Sequence, residues 1–76
     1  IVLEMGLLAY NLLIEEYPLA ERNLKPTDNG RWLLDTEVAG MAGVGRFVVG
    51  LLDNIRIIES PELKAYLKEY MAKNAL

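Results

Sequence analysis

Along the 76 residues, apolar positions recur with two periods, and the switches between those periods mark the elements. Residues 1–5 are apolar and β-branched, are closed by Gly6, and read as a short buried strand. Over residues 7–17, Ala9, Leu12, Leu13 and Tyr17 fall at helical spacing, with Tyr10 and Ile14 widening the stripe. Pro18 stops that helix, because its ring excludes the α conformation for the residue before it. Residues 23–27 read as a weak strand, and Pro26, which has no N–H to donate, argues for a sheet edge. Asp28-Asn29-Gly30 is the strongest turn signal in the chain, since Asn and Gly tolerate the positive φ of tight hairpins. Residues 31–39 follow as a strand. Trp32, Leu34, Thr36 and Val38 share one face of it, and Leu33, Asp35 and Glu37 share a more polar one.

Gly40-Met41-Ala42-Gly43 breaks this strand. Val44, Phe47, Val48, Leu51 and Leu52 then mark a second amphipathic helix, ended by Asp53-Asn54. Residues 55–59 are a short strand. Ser60-Pro61-Glu62 predicts a helix start, with Ser60 accepting the free N–H groups and Pro61 at the first helical position. Leu63, Tyr66, Leu67, Tyr70 and Met71 give the third helix its stripe, and Lys64, Lys68 and Lys73 occupy its outer face with Glu62 and Glu69. The order β-α-β-β-α-β-α predicts one α+β domain over residues 1–76. Its expected architecture is a ferredoxin-like split β-α-β (β-α-β-β-α-β) with an antiparallel four-stranded sheet and an extra C-terminal helix. Both crossover helices then lie on one face, which leaves the third helix or a second subunit to cover the other.

Composition narrows the function. There is no Cys and no His, so thiolate chemistry and histidine-based catalysis or metal binding are excluded. Eleven acidic against eight basic residues give a net charge of −3, which disfavours autonomous binding to duplex DNA. A binding module, an oligomerisation module and a segment of a longer protein stay open. An enzyme is disfavoured, and no catalytic, cofactor or metal residues are assigned. Neither a signal peptide nor a membrane-spanning run is visible, which predicts a cytoplasmic protein. The start at Ile1, inside a strand, predicts a piece excised from a longer chain.

Each candidate for chemistry has a plainer reading. The glycines of Gly40-Met41-Ala42-Gly43-Val44-Gly45 stand where phosphate loops stand, but their spacing reverses the dinucleotide fingerprint, so a tight strand-to-helix turn is the better reading. Arg46 is read as the basic residue of that helix's first turn, a solvated charge before an anion ligand. Glu15, Glu16 and Glu21 read as solvated helix face, since adjacent helical residues do not face each other. Trp32 is read as a core or interface anchor before a base-stacking platform, and Tyr66 and Tyr70 as core or dimer contacts. Arg22, Lys25 and Arg31 form at most a small basic patch. Were an oligonucleotide bound, charge alone nominates Arg22, Arg31, Arg46 and Arg56 as its phosphate partners.

The run from Gly45 to Lys64, GRFVVGLLDNIRIIESPELK, resembles the C-terminal extension (WCX) of WYL-domain transcriptional regulators. Such extensions carry a W-L-L-x-F-G helix, a V-x-V-L strand and a P-x-x-L-(R/K) helix start. Here Phe47 takes the aromatic place, Gly50 stands near the glycine, Ile55, Ile57 and Ile58 form the strand, and Pro61, Leu63 and Lys64 answer to the helix start. Asn29-Gly30-Arg31-Trp32 resembles the family's D-G-W hairpin, and residues 9–19 are similar to the first helix of Bacteroidetes-type members. Asp53-Asn54 replaces the glycine before the strand. The resemblance implies a non-catalytic regulatory and dimerisation module of a bacterial regulator. A winged helix-turn-helix and a WYL domain would precede it in the parent chain, and single-stranded nucleic acid would be the effector in some members. A second reading is a small-ligand-binding ferredoxin-like module acting at a subunit interface, with Arg46 or Trp32 taking part.

Overall fold

The structure, a computed structural model, describes residues 1–74. The chain runs β1 (Val2–Met5), α1 (Leu7–Glu16), a 3₁₀ helix (Pro18–Asn23), β2 (Leu24–Pro26), β3 (Trp32–Asp35), α2 (Met41–Val49), β4 (Ile55–Ile57) and α3 (Pro61–Lys73). The four strands form one sheet in the order β2-β3-β1-β4, with every neighbouring pair antiparallel. The protein is therefore α+β with a four-stranded antiparallel sheet and a C-terminal helix. Pro26 lies on an edge strand, where its missing N–H leaves no ladder bond unmade.

The pleat sorts the sheet residues onto two faces. Leu3, Met5, Leu34 and Ile55 point into the core, where Ala9 and Leu13 of α1, Val48 of α2, and Leu63 and Leu67 of α3 meet them. Helix α3 thus joins the same layer as α2 and does not cover the sheet's other face. Its stripe is apolar at helical spacing, and the place it fills is beside α2, where the Tyr66 ring lies over Gly45. A Cβ built at Gly45 would come 2.6 Å from that ring, so the glycine permits the close approach of the two helices. The opposite sheet face carries Glu4, Lys25, Leu33, Asp35 and Arg56, with Glu4 cross-strand from both Leu33 and Arg56.

Several local expectations are corrected. Helix α2 begins at Met41, three residues before the first member of its expected stripe, with Gly40 as an extended N-cap. Gly43 and Gly45 are therefore helical, and only Gly40 stands outside. Strand β3 ends at Asp35, so Thr36 and Val38 lie outside the sheet. Leu12 of the α1 stripe is on the surface, and Tyr17 caps the helix it was expected to line. Because α1 is apolar on nearly all sides, its sequence does not single out the face that burial selects. Ser60 is the N-cap residue of α3 as expected, with its carbonyl accepting the Lys64 N–H at 3.0 Å, but its side chain makes no cap bond. It is buried, and its Oγ accepts the Val2 N–H at 2.8 Å, which ties β1 to the segment after β4. The hairpin turns through Asp28-Asn29-Gly30 with only Gly30 at positive φ (76°), which is the three-residue loop closed by a left-handed glycine.

Candidate functional site

Two kinds of feature remain after the core is accounted for: a polar knot at the start of α1, and two apolar recesses. The knot follows from a missing side chain. Gly6 is the N-cap of α1 and has nothing with which to accept the first free N–H groups. Asn54, just before β4, does it from a distance: its Oδ1 accepts the Ala9 N–H at 2.8 Å, and its backbone carbonyl accepts the Gly6 N–H at 3.0 Å. A Cβ at Gly6 would lie 2.8 Å from Asn54 Nδ2, so the glycine is what lets the asparagine in. Arg31 completes the knot, donating to the same Asn54 carbonyl at 3.0 Å and to Glu4 Oε1 at 3.1 Å.

The expected phosphate partners stand on four different elements. Arg31 is held in the knot. Arg56 projects from β4 opposite Glu4, so these two arginines share one carboxylate neighbour. Arg22 is exposed on the 3₁₀ helix. Arg46 lies in the last turn of α2, not the first, because the helix starts earlier than its stripe suggests. There it complements the carbonyl end of the helix dipole. Trp32 is half-buried and stacks on Tyr10 of α1, with ring centroids 4.2 Å apart. Tyr66 stacks loosely on Tyr70, at 6.2 Å. Trp32 and Tyr66 are thus engaged in packing within the chain.

The first recess, about 690 Å³, opens between the α1–3₁₀ segment and α2. Leu13 and Leu34 form its floor, and Tyr17 and Phe47, edge to face at 6.4 Å, stand at its side with Arg22 on the rim. The second, about 720 Å³, runs between β4, the end of α2 and α3. Among the described residues, no group of three or more acidic side chains could hold a metal ion, and no helix is long and apolar enough to cross a membrane. No buried side-chain N or O among them lacks a hydrogen-bond partner.

Asn54, Ser60 and Gly6 were not legible as a set. Their partners lie 45 and 58 residues away along the chain, and no local spacing encodes such a pairing. No family model matches the chain, and no curated protein or solved structure matches it.

Proposed function

We propose that this chain is a non-catalytic regulatory and dimerisation module, a ferredoxin-like C-terminal extension of a WYL-type bacterial transcriptional regulator. The observation that carries the reading is the run from Gly45 to Lys64, with its helix, short isoleucine strand and proline-led helix in family order. Strand order supports the ferredoxin-like part: β2-β3-β1-β4, all antiparallel, is what two interleaved β-α-β units produce. The 3₁₀ helix is an addition to that plan. The uncovered sheet face and the two short edge strands support an assembly role, since unpaired edges invite another chain. Reading the coding sequence upstream of Ile1 tests the assignment. A winged helix followed by a Trp-Tyr-Leu domain is expected, and any other domain there would end it.

The recess between α1 and α2 favours a second reading, a small-ligand-binding module. Short single-stranded oligonucleotides provide its check through Trp32 emission, which reports on the Tyr10 stack and the neighbouring knot. Unchanged emission at low salt and millimolar ligand would count against nucleic acid as that ligand.

A further inference from the structure

Helix α1 presents an apolar line to solvent that the core does not use. Leu8 is 56% and Leu12 38% exposed, and they continue at helical spacing into exposed Glu15 and Glu16. Across the molecule's other recess, α3 presents Lys64, Lys68 and Met71 at the same i, i+4, i+7 spacing, beside Leu52. Met71 is 46% and Leu52 47% exposed. Among the described residues, none of Glu15, Glu16, Lys64 or Lys68 makes an ion pair within the chain. One surface is apolar with an acidic end, and the other is apolar with a basic end.

Resting on the dimerisation reading above, we propose that two copies associate by docking the Leu8–Leu12 line of α1 from one copy into the β4–α3 recess of the other. The two patterns fix the polarity. Set antiparallel, Leu8 meets Met71, Leu12 lies along the Lys68 stem, and Glu15 and Glu16 face Lys64 and Lys68. Set parallel, Leu8 would meet Lys64 and a carboxylate would be pressed onto Met71, which desolvates charge without a partner. The spans agree as well, since seven residues of helix cover about 10 Å on each side. A second copy is the occupant favoured because the chain carries both halves of the charge complement, and the contact pairs two different surfaces.

Sedimentation equilibrium of the chain tests this, with circular dichroism to verify folding. The wild type is expected to associate in the micromolar to high-micromolar range and to weaken as salt rises. Glu15→Lys with Glu16→Lys, and separately Lys64→Glu with Lys68→Glu, should each raise the dissociation constant about tenfold or more. All four side chains are exposed, so the fold should persist; if a double variant does not fold, Leu12→Asp replaces it with the same expectation. Mixing the two charge-reversed variants should restore association, because each complements the other. A self-associating chain indifferent to both reversals, or two variants that stay apart on mixing, overturns this contact and leaves the dimerisation reading standing. A strict monomer at high micromolar concentration overturns both.

Discussion

Replacing Asn54 with alanine removes one oxygen, and that oxygen closes the N-terminus of a helix 45 residues away. The Ala9 N–H it accepts is partly buried between α1 and the strand ends, so water replaces the bond poorly. Loss of a side-chain N-cap costs about 1–2 kcal/mol, and an amide left unpaired in such a setting falls in the same range. In a domain of this size each kcal/mol lowers the melting temperature by about 4–8 °C. Asn54→Ala should therefore melt about 5–15 °C below the wild type by far-ultraviolet circular dichroism. Asn54→Asp keeps the acceptor and adds a negative charge at the positive end of α1. It should match the wild type or exceed it by about 0.3–1 kcal/mol. Gly6→Ala forces a Cβ to within 2.8 Å of Asn54 Nδ2 and should destabilise by itself. Combined with Asn54→Ala it should cost less than the sum, because the obstructing side chain is gone. An unchanged melting point for Asn54→Ala, an aspartate as damaging as alanine, or strict additivity with Gly6→Ala would refute the distant-cap argument.

The other expectations concern packing and pairing. Gly45→Ala drives a Cβ to 2.6 Å from the Tyr66 ring and should cost about 1–3 kcal/mol in urea unfolding, with part of the loss recovered in a Tyr66→Ala background. Ser60→Ala leaves the Val2 N–H without its acceptor and should cost about 1–2 kcal/mol; a neutral result would mean the bond is replaced by water. Arg31→Ala removes both the Glu4 ion pair and the bond to the Asn54 carbonyl. The ion pair is partly solvated and contributes at most about 1 kcal/mol, so any larger loss reports the bond to the Asn54 backbone carbonyl, which alanine keeps, and should persist when Asn54 is already alanine. Tyr10→Leu should change the Trp32 emission spectrum with little change in helix content, since it removes the ring stacked at 4.2 Å.

How far the chain can be read without its fold differs by element. Pro18, the Asp28-Asn29-Gly30 turn and Pro61 mark boundaries through their own backbone chemistry, and those boundaries stand where these residues put them. Pro26 likewise announces an edge strand. The glycine run from Gly40 to Gly45 misleads for a physical reason: intrinsic propensity treats it as a break, yet packing beneath Tyr66 makes a helix with a glycine in it the better arrangement. Arg46 changes ends of its helix as a direct result. On α1, where apolar residues surround the axis, only the position of the sheet decides that Ala9 and Leu13 are inside and Leu8 and Leu12 outside.

By itself, then, the amino-acid order determined the succession of four strands and three α-helices, the hairpin and the buried stripe of α3, because those follow from turn residues and from periods read within a few neighbours; it missed the 3₁₀ helix at Pro18–Asn23, and Leu51 and Leu52 of the expected α2 stripe fall beyond that helix. Tertiary structure decided which groups complete one another: Asn54 with the start of α1, Ser60 with β1, Gly45 with Tyr66, and which leucines of α1 are left for another surface. These are pairings between residues far apart along the chain, and their chemistry has no local spacing to betray it until the sheet brings them within bonding distance.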